Sequence, residues 1–395
     1  MAYIGSKPAD KVLTASDITD GVVSTAKIAD NAVTADKTSY KDVPFRNIII
    51  NGDMSQAQRA TSTASITGNG YHTIDRYHLN CDTHGTWTQS QDTDVPSGQG
   101  FATSMKMDCT TADASPAVAD QLKIQVKIEG QMLQHLKKGT ANAEDLTLSF
   151  WVKSVKTGTY IASLQDSDNT RYISKSYTVD SGSTWEKKEV TFAGDTTGAF
   201  NNDNAGSITL EFWLGAGTDW TSGTLATSWE SRTNANKAVG QVNLADSDSN
   251  NFWITGIQLE VGSSASDFEF LPVDVNLRRC QRYFYPIISI SNANNLNAFG
   301  YYYSSSQIKF PVRFPTEMRT TPTLSQDVDT DALRFYRDST YDGQSGNFVL
   351  DAGGTGRYSS FYNGTDASGT AGQAGQLYKY SPTQADSYIW YSAEL

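Results

Sequence analysis

The chain has 395 residues and a formal net charge of −12, from 43 acidic and 31 basic side chains. That balance repels a phosphate backbone, and the densest basic pieces are only Lys187-Lys188 and Arg278-Arg279, so nucleic acid is not an expected partner. Hydrophobic residues make up 38% and charged residues 19%; Ser, Thr, Asn, Gly and aromatics fill the gap, a mixture that favours strands and turns over helices. No apolar run approaches a membrane span, and MAYIGSKPADKV lacks a hydrophobic signal-peptide core. The expectation is a protein neither inserted in a membrane nor exported by a signal peptide. Cys81, Cys109 and Cys280 are odd in number and widely spaced, unlike a disulfide framework.

Residues 11–40 divide into three blocks of ten: KVLTASDITD, GVVSTAKIAD and NAVTADKTSY. Their third positions read Leu13, Val23 and Val33, and Ile18 and Ile28 share the eighth. Two or three apolar residues per block cannot offset the entropy of ordering one copy. Either this stretch is a disordered polar leader, or several chains bundle in register with Leu13, Ile18, Val23, Ile28 and Val33 on a common axis.

The string DGVVSTAKIADNAVTADK and the opening AYIGSKPA resemble the N-terminal parts of bacteriophage tail fibres, especially those of marine podovirus-like phages. In that family the extreme N-terminus docks on the virion tail and the fibre is a homotrimer. The resemblance implies attachment to a tail adaptor, nozzle or other fibre protein through Tyr3, Ile4, Lys7 and Pro8, and location in the virion after assembly in the host cytoplasm.

From Phe45 the character changes. RNIIINGDMSQAQR opens with a strand-like apolar run closed by Asn51-Gly52, a turn signal. In DLTLSFWVKS, Leu146, Leu148, Phe150 and Val152 alternate with Thr147, Ser149, Trp151 and Lys153; SITLEFWLG alternates likewise. In NFWITGIQLEVG the parity switches between Ile254 and Ile257, which predicts a β-bulge near Thr255-Gly256. TSMKMD, KIQVKIE, YIASLQ, ISKSYTV and WEKKEVTF are further strands, and the whole predicts an antiparallel β-sandwich over 45–272. NGDMSQAQR, TLSFWVKS, TWEKKEVTF and ITGIQLEVGSSASDFEFLP together resemble the jelly-roll, carbohydrate-binding-module-like domain common in phage fibres. That family often carries a structural calcium; Asp53 matches its start, but Thr255-Gly256 stands where acidic residues are usual, so neither calcium nor sugar binding carries over directly. Phe-Trp recurs at 150–151, 212–213 and 252–253. With Phe inward, Trp151, Trp213 and Trp253 face outward as a covered second core, a subunit interface or a sugar-stacking row.

His78, Cys81 and His84 are three apart, which suggests a metal site, but on a strand that spacing alternates faces and spoils convergence. Asp75-Arg76-Tyr77 reads as ordinary strand entry. No metal and no cofactor are expected. Gly-x-Ser-x-Gly and His-Glu-x-x-His are absent, and no long solenoid repeat of the polysaccharide-degrading spikes is present, so no enzyme is expected.

Pro272 and Asp274 suit a helix start, and Leu277, Cys280 and Phe284 fall at helical spacing, which predicts a helical joint over 273–285. LRRCQRYF resembles the joint after such domains in phage fibres. Beyond it lies a small β tip, 286–395, where QIKFPVRFPTEMRTTPTLS resembles a common fibre-tip phrase. Its Tyr/Ser/Gly-rich composition suits an adaptable binding surface, with Tyr301, Tyr302, Tyr303, Arg357, Tyr358, Phe361, Tyr362 and Trp390 as candidate receptor contacts; alternate members could instead fill a small core.

The expected fold is therefore all-β: an extended N-terminal repeat stalk over 1–44, a jelly-roll sandwich, a short linking helix and a small C-terminal β domain, in a homotrimeric fibre. The expected function is a structural tail fibre that adsorbs to a bacterial surface polysaccharide or outer-membrane protein. The alternatives are a polysaccharide-degrading tailspike enzyme and a non-viral carbohydrate-binding module.

Overall fold

Two stacked sheets follow from the alternation read above. A computed structural model describes residues 45–288, 296–328, 332–380 and 387–395. The decapeptide repeat with Leu13, Ile18, Val23, Ile28 and Val33, and the attachment candidates Tyr3, Ile4, Lys7 and Pro8, lie outside the described residues.

The first module contains β1 (Ser62–Ile66), β2 (Gly70–Tyr71), β3 (His78–Cys81), β4 (Thr86–Asp92), β5 (Ser104–Thr111), β6 (Gln121–Glu129), β7 (Leu146–Ser154), β8 (Gly158–Asp166), β9 (Arg171–Val179), β10 (Glu186–Phe192), β11 (Gly206–Ala216), β12 (Glu230–Ser231) and β13 (Asn251–Val261). They form a six-stranded sheet, β1-β4-β5-β13-β7-β10, and a seven-stranded sheet, β12-β9-β8-β11-β6-β3-β2. Every pairing in both is antiparallel. The inward positions of both sheets share one core, as a sandwich requires. Phe150 on β7 meets Phe212 on β11 edge to face at 5.1 Å, and Tyr177 on β9 at 4.9 Å. The parity switch in β13 is real: its register against β7 shifts between Thr255 and Gln258. Gly256 takes φ +63°, and a Cβ there would lie 2.6 Å from the Phe101 ring.

The run Ile48-Ile49-Ile50 is not a strand. Its three side chains are buried but serve two clusters: Ile48 and Ile49 enter the sandwich core, while Ile50 packs with Cys280 and Tyr283. The Asn47 side chain replaces a strand ladder, donating to the Ile257 carbonyl at 3.0 Å and accepting from the Leu259 amide at 3.1 Å. Asn51 turns the chain at φ +62°.

The linking helix spans Val273–Gln281, with Pro272 at its cap and Asp274 in its first turn. It is shorter than the span expected to reach 285, because β14 (Phe284–Ile288) already pairs there, and Phe284 belongs to that strand. Its buried face is Asn276 and Cys280; Leu277 is only partly covered. Asn276 is drawn inward by polar contacts: its amide donates to Asp53 at 3.1 Å and Ser55 at 3.0 Å, and its oxygen accepts from the Asn51 amide at 3.2 Å.

The second module continues with β15 (Leu296–Ser304), β16 (Gln307–Arg313), β17 (Thr323–Asp327), β18 (Leu333–Arg337), β19 (Thr340–Gln344), β20 (Phe348–Leu350), β21 (Tyr358–Asn363), β22 (Ala374–Lys379) and β23 (Tyr388–Ser392). A three-stranded sheet, β14-β23-β17, faces a seven-stranded one, β19-β18-β22-β15-β16-β21-β20. Phe310 and Phe361 stack between them at 4.8 Å, with Tyr302, Phe335, Leu377, Ile389 and Tyr391 around them.

Residues 45–395 form one compact unit, and a buried charged knot ties its modules together. Asp75-Arg76-Tyr77, expected as ordinary strand entry, is wholly buried, with Arg76 at φ +76°. Glu394 binds both Arg76 and Arg59, the latter at 3.1 Å. The Arg76 guanidinium lies 3.4 Å above the Tyr283 ring, and that of Arg59 3.7 Å above Phe284. Arg282 grips Glu129 with two bonds of 2.7 Å, and Arg319 donates to the carbonyls of Ala393 and Glu394 at 2.7 and 2.9 Å.

Candidate functional site

The seven-stranded sheet of the second module has one face in the core and one in water. On β15, Tyr302 points inward, whereas Phe299, Tyr301 and Tyr303 point out with 66%, 40% and 61% of their surface exposed. Across the sheet, Tyr301 stands opposite Lys309, Lys309 opposite Tyr362, and Tyr362 opposite Val349. A second row runs Phe299, Gln376, Tyr336, Tyr341. Tyr358 faces Arg313 at one corner. Eight of the fourteen large exposed hydrophobic side chains among the described residues share this face, which makes it a patch rather than scatter.

The face is also cationic. The Arg334 guanidinium is 3.8 Å from the Tyr341 ring and 3.0 Å from Tyr380; the Lys309 ammonium is 4.6 Å from Tyr303. Among the described residues, no outward strand position of this sheet carries a carboxylate. Asp351, just past β20, reaches Lys309 at 2.9 Å and raises its pKa. In a chain of net charge −12, such a face can stack apolar ring faces on aromatics while phenol and guanidinium groups make hydrogen bonds around them.

The structure divides the residues singled out from sequence. Tyr301, Tyr303, Tyr358 and Tyr362 share the aromatic face. Tyr302 and Phe361 are core residues and cannot touch a ligand, because strand alternation turns every second side chain inward. The Tyr302 hydroxyl bonds Asp342, and burial with that carboxylate pushes its pKa up to about 12. Arg357 is exposed beside the sheet and pairs with Glu317 at 3.0 Å. Trp390 lies on the other sheet, stacked on Tyr388 at 3.6 Å and edge-on to Phe284. Phe299, Lys309, Arg334, Tyr336, Tyr341 and Tyr380 were missed; the alternation in LNAFGYYYS and LRFYR was the available signal.

The sandwich offers no open aromatic row. Trp151 and Trp253 are half-buried on the outer side of the six-stranded sheet, while Trp213 belongs to the other sheet and is buried. Trp213 is capped by Trp220, Leu225 and Ala238 from the segment that includes α1 (Thr218–Thr221). Beneath that cover Trp213 donates to the Tyr172 hydroxyl at 3.0 Å, and Tyr172 to Glu211 at 2.9 Å. Lys123 pairs with Glu211 at 2.7 Å. Burial pushes the Glu211 carboxyl up, but Lys123 and Lys237 outweigh it and hold it below its ordinary value; burial lowers Lys237 to about 8.

Asp53 holds Ser55 and Asn276, and among the described residues it belongs to no group of three metal-ligating side chains. Cys81, Cys109 and Cys280 are buried free thiols. β3 ends at Cys81, so the strand-spacing argument covers His78 and Cys81 but not His84, which sits in the following turn.

No family model and no curated protein matches the chain. Solved structures match parts of it. The enzymatically active domain of bacteriophage CBA120 tailspike protein 4 is 17% identical over 55% of this chain, with a TM-score of 0.29; the match spans 22% of that protein's chain. A sugar-binding protein from Bacteroides thetaiotaomicron, described as putative, is 11% identical over 55% of this chain and 100% of its own, at TM-score 0.30. The carbohydrate-binding module TmCBM61, solved with β-1,4-galactotriose, is 11% identical over 55% of this chain and 99% of its own, at 0.28.

Proposed function

We propose that the chain is a subunit of a homotrimeric phage tail fibre. It attaches to the tail through the region of Tyr3, Ile4, Lys7 and Pro8, and adsorbs to a bacterial surface glycan through the aromatic face of the second module. The fibre part rests on the resemblance of the N-terminal strings and on a repeat that needs neighbours to bury Leu13, Val23 and Ile28. The adsorption part rests on one observation: Phe299, Tyr301, Tyr303, Tyr336, Tyr341 and Tyr358 are gathered on one exposed sheet face with Lys309 and Arg334 and without outward carboxylates. Sugar rings pack their C–H faces on such rings, and each site binds weakly until several tips act together.

Sedimentation of the full chain tests the first part: three chains per particle are expected, and a monomer overturns it. Binding to an array of bacterial surface polysaccharides tests the second. Tyr301→Ala/Tyr303→Ala is expected to lose at least tenfold in affinity, while Trp390→Ala, on the other sheet, keeps it. Equal binding by all three proteins refutes the aromatic face. Release of reducing ends from a bound polysaccharide would instead mark an enzyme.

A further inference from the structure

Three segments distant in sequence meet at one end of the sandwich: the turn after β3, the loop between β5 and β6, and the turn at Asn243. His84 is fully buried there, with Nε2 2.7 Å from Asn243 Oδ1. The Asn243 amide has only one orientation that fits its other bonds. Its Nδ2 donates to the Asp113 carbonyl at 2.8 Å, and its Oδ1 accepts from the Ala245 amide at 2.9 Å. The atom facing His84 is therefore an acceptor, so Nε2 carries a proton and Nδ1 is the ring nitrogen left for another partner.

That Nδ1 is buried and has no hydrogen-bond partner among the described residues. It lies 3.8 Å from Asp113 Oδ2, and one ligand atom from each of His84, Asp113 and Asp120 lies within 4.8 Å of the others. When Nδ1 is deprotonated, it and the carboxylate oxygens are all acceptors, and a cation between them satisfies them together. Each carboxylate already uses one oxygen to hold its own loop, Asp113 Oδ1 on the Ser115 amide at 3.2 Å and Asp120 Oδ2 on the Ala117 amide at 2.8 Å. Their backbones are anchored as well: the Asp113 amide donates to the Ala245 carbonyl at 2.7 Å, and the Asp120 carbonyl accepts from Gly217 at 2.8 Å. Room for the ring comes from Gly215, where a Cβ would lie 2.7 Å from His84 Nε2.

We propose that His84 Nδ1, Asp113 and Asp120 bind one structural divalent ion of the zinc or manganese type, pinning the β5–β6 loop to the turn after β3. One imidazole nitrogen with two carboxylates suits such an ion better than calcium, which prefers oxygen alone. Two negative charges match its charge. The Asn243 contact is the outer-shell acceptor that fixes the tautomer of a ligating histidine. Donors bound at about 2.0–2.2 Å lie roughly 3–4 Å apart, so the three groups close by about 1 Å on binding, a movement open to the partly exposed Asp113.

The test uses the full chain stripped with chelator and titrated with zinc and then manganese by calorimetry, with melting followed in parallel. One ion per chain and a higher melting temperature with metal are expected. Asp113→Asn and Asp120→Asn should each lose at least tenfold in affinity and the metal-dependent part of the melting shift, with unchanged circular dichroism. His84→Ala is not needed, since its burial endangers folding. Failure of the folded wild type to take up either ion overturns the proposal. So does binding that both variants retain.

Discussion

Glu394 holds two buried guanidiniums, and its loss offers the sharpest test of how the modules are joined. Its side chain, like those of Arg59 and Arg76, is almost wholly covered. In Glu394→Ala, Arg76 keeps a bond to the Lys127 carbonyl at 2.7 Å and the Tyr283 ring, and Arg59 keeps Asp75 at 3.7 Å, but no carboxylate remains on Arg76. Removing one partner of a buried pair leaves an uncompensated charge and costs on the order of 3–5 kcal/mol. Glu394→Gln, which keeps one acceptor and turns an amide N–H₂ toward the other guanidinium, falls between wild type and Ala. Arg76→Met/Glu394→Met removes the charge with its partner and should recover most of the loss, because an apolar replacement of a buried pair is often neutral. Urea unfolding followed by tryptophan fluorescence measures all four proteins. The reasoning fails if Glu394→Ala lies within 1 kcal/mol of wild type, or if the double variant is no more stable than the single one.

Three further outcomes are expected. Burial raises the Asp75 carboxyl from its ordinary value to about 6, so the folded state takes up this proton before the unfolded chain does; the group adds stability as pH falls from about 6 to about 4 and loses it as pH rises through 6. About two pKa units correspond to about 3 kcal/mol, and Asp75→Asn should remove that slope; equal urea midpoints for both proteins at each of pH 4.5 and 7.5 would contradict it. Phe212→Ala empties the contact with Phe150 and should destabilise the sandwich by about 3–5 kcal/mol in the same unfolding measurement. Gly256→Val puts a branched residue at φ +63° against Phe101 and should cost at least about 2 kcal/mol, read as a lowered melting temperature; an unchanged value would show that the bulge tolerates a side chain.

Features with a local period were legible in the sequence. The two-residue repeat set Phe150, Phe212 and Phe252 on the face opposite their neighbouring tryptophans, and the parity break in NFWITGIQLEVG located the bulge, because strand geometry couples neighbouring residues directly. The same repeat states that Tyr302 opposes Tyr301 and Tyr303 but not which side meets the core; only pairing with β16 and β22 over Phe310 and Phe335 settles that. The isoleucine run failed as a strand because Asn47 and Asn51 supply side-chain bonds in place of a ladder.

By itself, then, the sequence determined the all-β character, the antiparallel strands with their bulge, and the helix between the modules, since composition, alternation and capping act within a few residues. Tertiary structure decided what depends on partners far along the chain: which aromatics of the second module face water, why Trp213 is capped, and why Asp75 and Arg76 are buried with Glu394. It also brought His84 to Asp113, Asp120 and Asn243. Those meetings arise from sheets stacking and loops closing over them, and a desolvated charge or lone pair takes its meaning from whatever is packed against it.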